Sequence, residues 1–213
     1  MGHYWKAFAT GIEYTLIITV CSVFFGFIIG ILLALARMAK GNPLKTAIRW
    51  LATAYVEFIR GTPMMVQVMF VYFGLGLFVN LPALTSGIIA ISLNSGAYVA
   101  EYIRGGINSV DVGQTEAARS LGMSNGETMR YVVLPQALKN IWPSLGNEFI
   151  TLIKDSSIVS IIGVTELIYQ SNIVRSDTYR GVAPIVVIMV LYFILTFTAS
   201  RILNYFERRM QHD

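Results

Sequence analysis

Residues 14–35 read YTLIITVCSVFFGFIIGILLAL, and this run holds no charged side chain. A helix needs about 20 mostly apolar residues to cross the hydrocarbon core of a bilayer, and the run is long enough. A signal peptide is the rival reading, because Ala34-Leu35-Ala36 has the small-x-small form of a cleavage site. A signal peptide carries its positive charge ahead of a shorter apolar stretch. Here only Lys6 precedes the run, whereas Arg37, Lys40, Lys45 and Arg49 follow it. The expectation is an uncleaved span at about 14–36 with its C-terminal end in the cytoplasm.

The rest of the chain agrees in composition. Of 213 residues, 55% are apolar and only 13% are charged, against roughly 25% charged in an ordinary soluble domain. Mean hydropathy is +0.61 at 23.6 kDa, which leaves no room for a separate soluble catalytic domain. The net charge of +4 is spread along the chain, without the basic stripe and interleaved aromatics of a nucleic-acid surface. The single Cys21 cannot form an internal disulfide.

Four further spans are expected at about 50–79, 83–103, 145–164 and 182–203, giving one all-α membrane domain. The second is too long to cross upright. It contains Gly61-Thr62-Pro63, where proline removes a backbone donor and disfavours helix at Thr62. Residues 104–144 form a polar inner segment, and Glu166 to Gly181 an outer loop. Lysine and arginine test this layout. The inner segments hold Arg37, Lys40, Lys45, Arg49, Arg104, Arg119, Arg130, Lys139, Arg201, Arg208 and Arg209; the outer ones hold Lys6, Arg175 and Arg180. Such an inside excess fixes N-out, C-in, and five crossings connect those ends. Gly26 and Gly30 form a GxxxG pair in the first span, either a close helix contact or glycine by chance.

The inner segment carries the chemistry of coupling. Asp111 with Gln114, and Ser124 with Glu127, fit capping boxes. Gly122 stands where the first of two short helices should stop in a left-handed turn, and Leu134-Pro135 closes the second. A short capped helix held between two spans is a rigid knob, and its small face, Ala117 and Ala118, admits close approach by another protein. The plainer alternative is a surface helix that merely links two spans.

Glu116-Ala117-Ala118, then Gly122, Val132 and Leu134-Pro135 at their spacing, resembles the EAA loop of ATP-binding-cassette importer permeases. Val132 stands where isoleucine is common. Arg60-Gly61-Thr62-Pro63 with Val66-Gln67, Ile91 to Tyr98, and Ile153-Lys154-Asp155-Ser156-Ser157 resemble the polar amino-acid branch. The resemblance covers nearly the whole chain. It implies the type I importer transmembrane fold, a second permease subunit (identical or paralogous), two ATPase subunits, and an extracellular or periplasmic binding protein. It also implies that Glu116, Ala117, Ala118 and Gly122 couple this chain to the ATPase. No GxxxxGK[ST] phosphate loop occurs here, so ATP and its Mg are expected on the partner and no catalysis on this chain.

Ionisable groups inside a span are costly and usually face a cavity or a partner. From an inner face near Leu145, Asp155 lies about 15 Å deep, and Asn94 lies about 16 Å from an outer face near Ala83. Both would reach the midplane, where transporter sites are found. Glu148 and Asp155, seven residues apart, share a helix face and offer negative charge to an ammonium or guanidinium group. Lys154 either neutralises a carboxylate or attracts a substrate α-carboxylate. The alternative is a structural Lys154–Asp155 pair, with Glu148 at the wet inner rim. In the family resembled, the positions of Asn94, Glu148 and Asp155 line an amino-acid pocket. Glu57 and Arg60 fit an intrahelical pair beside the kink, and Glu101 and Arg104 read as interface residues. His3 and His212 have no partners at metal-ligand spacing, and no metal site is expected.

The function expected is the transmembrane subunit of an ATP-driven importer of a polar or basic amino acid, in a bacterial cell membrane. A passive channel or an ion-coupled carrier would explain the buried charges but not the capped loop. A membrane enzyme lacks a catalytic cluster.

Overall fold

The computed structural model describes residues 4–39 and 41–212, and every element among them is helical. Lys40 and His3 lie outside the described residues, as does the side chain of His212.

The first helix, α1, spans Trp5–Met38 and so begins well before Tyr14. Its buried positions include Gly11, Thr15, Ile18, Ser22, Gly26, Gly30 and Ala34, a stripe at three- and four-residue spacing. The bulky Phe24, Phe25, Leu32 and Leu35 face outward. This inverts the pattern of a water-soluble helix and suits lipid outside and close packing within.

The small stripe meets α4, Ala83–Asn108. A Cβ on Gly26 would lie 2.8 Å from Ser95 Cβ, and one on Gly30 only 2.4 Å from Val99 Cγ1. From the other side, a Cβ on Gly96 would lie 2.5 Å from Ile29 Cγ2. The GxxxG pair, open in the sequence, is therefore a close contact between α1 and α4.

The stretch expected as a second span is divided. Helix α2 runs Pro43–Gly61, with Asn42 capping it by accepting from Lys45 N at 2.9 Å. Thr62 is extended (φ −118°, ψ 146°). Helix α3 then runs Met64–Met69 and widens into a π-helical turn over Phe70–Gly74. Proline 63 breaks the chain where its chemistry requires. The same region corrects the expected Glu57–Arg60 pair: the Arg60 Nη1 atom lies 3.8 Å from Glu101 instead, with its guanidinium over the Tyr98 ring. Arg37 also reaches Glu101, at 2.5 Å, and Arg104 joins from one turn along α4. All the ion pairs among the described residues converge on this one carboxylate, which ties α1, α2 and α4 together.

Between α4 and the next long helix lie α5, Val112–Ser120, and α6, Asn125–Thr128, followed by a π turn over Met129–Val133. Helix α7, Leu134–Asp155, starts directly from that turn. Leu134-Pro135 therefore opens a helix rather than closing one. The residues before it are helical in φ and ψ, so the chain passes from the π turn into α7 without a stop, and the N–H that proline lacks falls where the hydrogen-bond spacing changes from π to α.

At Ser156 the helix tightens to a 3₁₀ segment, Ser156–Ile162, which ends at Gly163 with φ +88°. Helix α8, Leu167–Thr178, follows at a bend of 53°. The expected outer loop from Glu166 is thus corrected to a helix. Glu166 is buried and accepts from Ile168 N and Tyr169 N at 2.9 and 2.8 Å, and Tyr192 donates its hydroxyl to it at 2.8 Å. This cap gives a polar segment its helix and pins it to α9, Ala183–His212. The helices long and apolar enough to cross a membrane are α1, α4 and α9, with a fourth if the bent α6–α8 stretch counts as one.

Candidate functional site

The α5–α6 pair is built by local hydrogen bonds. Asp111 caps α5 by accepting from Gly113 N at 2.6 Å. The expected reciprocal bond from Gln114 is absent, and that side chain accepts from Gln136 at 3.4 Å. The second box is complete: Ser124 Oγ accepts from Glu127 N, and Ser124 N donates to Glu127 Oε2 at 2.8 Å. The Ser124 hydrogen bonds hold the Glu127 carboxyl below its ordinary value. The cap is therefore whole at neutral pH and weakens only as pH falls through that lowered value.

Between the boxes, Met123 N donates to Ala118 O and Gly122 N to Arg119 O, at 3.2 and 3.0 Å. These are the two bonds of a Schellman stop. Gly122 supplies the left-handed residue with φ +85°. Arg119 closes the turn further, donating to Met123 O at 2.9 Å. Ala118 is buried beneath the pair, whereas Glu116 and Ala117 are exposed. Around them Val112, Leu121 and Tyr131 are 70%, 85% and 63% exposed. A short rigid helix thus carries a carboxylate and small side chains amid bare apolar groups. Gly122→Val should lower the stability of this turn by roughly 1–2 kcal/mol, since a β-branched residue resists positive φ. Faster amide exchange at Gly122 and Met123 would report it, and unchanged exchange would reject the Schellman geometry.

The intramembrane candidates fall into two groups. Asn94 is buried on α4 and donates through Nδ2 to Gln67 Oε1 at 2.9 Å. Glu148 is buried on α7 and accepts from the Tyr102 hydroxyl at 3.1 Å. It lines a cavity of about 240 Å³ with Ser95, Val99, Phe149 and Leu203. Consecutive helix positions point about 100° apart. Asn94 therefore faces α3, while Ser95 lines the cavity of Glu148.

Asp155 is half-buried at the last turn of α7, and Lys154 is exposed. Neither belongs to the ion pairs among the described residues, so no Lys154–Asp155 pair forms there. Helix α7 starts at Leu134, so Asp155 stands about 32 Å along it. Gln67 and Tyr102, the partners of the buried polar groups, were not among the expected site residues. A lone glutamine in an apolar run just after Pro63 was the available signal for the first.

Residues 26–212 match the family described as binding-protein-dependent transport system inner membrane components. The chain belongs to this family. It is a membrane permease component of a transport system, and its resemblance to ATP-binding-cassette importer permeases of the polar amino-acid branch holds. A putative glutamine transport system permease protein, GlnP, of Rickettsia bellii (strain RML369-C) is 41% identical over 198 residues, covering 92% of this chain and 89% of that protein. The arginine transport system permease protein ArtQ of Bacillus subtilis (strain 168) is 39% identical over 205 residues, covering 95% and 92%. A solved structure described as an amino acid ABC transporter with histidines superposes with TM-score 0.92 at 48% identity, covering 98% of this permease and 96% of that chain. An inward-facing MetNI methionine ABC transporter superposes with TM-score 0.79, covering 96% of each chain. At 22% identity that likeness concerns the fold, which is the type I importer transmembrane fold expected from the sequence.

Proposed function

We propose that this permease is the transmembrane subunit of an ATP-driven importer that moves a polar or basic amino acid across the bacterial cell membrane by alternating access. The observation that carries this reading is the α5–α6 turn. It is a doubly capped, rigid element whose exposed Glu116, Ala117, Val112 and Leu121 are left uncovered by the other described residues. Such a face suits a groove on a separate ATPase, which would hold ATP and Mg. Closure of the ATPase pair would move the two permease subunits, identical or paralogous, between inward- and outward-facing states. A binding protein would deliver the amino acid outside. The chain would cross the membrane five times, N-out and C-in, with the divided α2–α3 stretch as the second crossing.

The substrate path runs past Asn94, Glu148 and Asp155 in this reading, with Lys154 near the substrate carboxylate. The buried carboxylate of Glu148 supports it, as do relatives named for glutamine and arginine transport. Reconstituted with its ATPase and binding protein in liposomes, the permease should take up amino acid only with ATP. Uptake driven by an ion gradient alone would overturn the importer reading in favour of a carrier. In the same assay Asp155→Asn should raise KM for a cationic amino acid about 10- to 100-fold, the equivalent of one charge-assisted hydrogen bond, with assembly intact. Wild-type kinetics would remove Asp155 from the path.

A further inference from the structure

The break between α2 and α3 leaves backbone carbonyls without their helical donors, because Pro63 has no N–H and Thr62 is extended. One side chain fills the gap. Gln67 Nε2 donates to Ile59 O at 2.7 Å, to Thr62 O at 3.0 Å and to Thr62 Oγ1 at 2.8 Å. A carboxamide nitrogen has two protons, and three acceptors saturate them. The Gln67 amide therefore has one orientation, with Oε1 turned away from the break. That oxygen accepts from Asn94 Nδ2 at 2.9 Å.

The constraint passes on to Asn94. With its nitrogen held by Gln67, the Asn94 carboxamide cannot flip without setting two oxygens against each other. Its Oδ1 has no hydrogen-bond partner among the described residues. It is also absent from the sealed, unpartnered side-chain oxygens, which are the hydroxyls of Thr15, Ser22, Ser86, Ser95, Thr128 and Ser171. The Asn94 oxygen is thus a reachable acceptor in a fixed direction, suited to an N–H donor and unsuited to a carboxylate.

We propose that Gln67 is a positioning residue for substrate selection: anchored to Ile59 and Thr62 across the helix break, it fixes the Asn94 carboxamide with its oxygen free to accept an N–H group of the transported amino acid. This rests on the placement of Asn94 on the substrate path. It adds that the break and the path are one unit, so that a movement of α2 against α3 is felt at Asn94.

A double-mutant cycle on the reconstituted transporter tests this, with Gln67→Met, Asn94→Ala and both together. Glutamine and arginine serve as transported probes, and size-exclusion chromatography follows assembly. Asn94→Ala should raise KM about tenfold and Gln67→Met nearly as much, each with little change in the maximal rate. The double variant should be no worse than Asn94→Ala alone. Gln67→Glu, which sets a carboxylate oxygen against the Ile59 and Thr62 carbonyls and so loses the anchor, should raise KM as Gln67→Met does and keeps the test open if Gln67→Met fails to assemble. If Asn94→Ala raises KM but Gln67→Met leaves it unchanged, or the two effects multiply, the inference fails while the placement of Asn94 stands. If Asn94→Ala itself leaves KM unchanged, that placement fails and the inference with it.

Discussion

Glu116→Lys should abolish ATP-dependent uptake while leaving the permease folded. Glu116 is exposed in the middle of α5, and its carboxylate enters none of the ion pairs among the described residues. Helix α5 keeps its Asp111 cap and its Gly122 stop in the variant. A surface substitution of this kind shifts stability by only about 0.5 kcal/mol. The same reversal costs several kcal/mol when the charge is set against a partner's positive groups. A loss of about 3–4 kcal/mol would weaken association by roughly 100- to 1,000-fold. The measurements are copurification of the ATPase, uptake in liposomes, and the melting temperature of the isolated permease. Coupled uptake near the wild-type rate would remove Glu116 from the docking surface. A fall in melting temperature equal to that of a core variant would make its role structural instead.

Local chemistry was the legible part of this fold. Proline 63 announced the break after Gly61, Ser124 and Glu127 announced their reciprocal cap, and Gly122 announced the left-handed stop. Each depends on residues within one or two turns of one another. Hydropathy did less well at helix ends, because it marks where a chain meets lipid and not where its backbone hydrogen bonds begin. Lys6, ahead of the apolar run, lies within α1 all the same. Glu166 to Gly181 read as a loop for want of an apolar face, and the helix there rests on a buried Glu166 cap and on Tyr192 from another helix. Leu134-Pro135 read as a stop because proline serves either end of a helix, and only the preceding π turn decides which.

Long-range pairings were the illegible part. Spacing offered Arg60 the carboxylate of Glu57, three residues away. The fold gave it Glu101, already shared with Arg37 and Arg104. At the site, helical spacing correctly set Glu148 and Asp155 on one helix. The partners of the buried polar groups, Gln67 and Tyr102, come from other helices. No count along one helix reveals which neighbour a buried amide or carboxylate will find.

The packing of α1 on α4 sets the largest structural effect. Gly30→Leu should prevent stable folding, whereas Gly105→Ala, on α4 but away from this contact, should be harmless. A Cβ on Gly30 would lie 2.4 and 2.5 Å from Val99 Cγ1 and Cβ, and 3.1 Å from the Gly96 carbonyl oxygen. The Val99 Cβ is fixed to the α4 backbone, so no rotamer change relieves the contact and the two helices must part. Their separation would also open the contacts at Gly26–Ser95 and Ile29–Gly96. The expected cost exceeds the roughly 1–3 kcal/mol of ordinary overpacking and would show as loss of the monodisperse species in detergent. Gly105 has nothing within 4 Å of its would-be Cβ. Alanine there replaces the least favourable helix residue short of proline, with an expected gain of up to about 1 kcal/mol. Equal melting temperatures for the two variants would mean that α1 and α4 do not approach this closely. The rigid pairing on which Asn94, Ser95 and Tyr102 depend for their placement would then be lost as well.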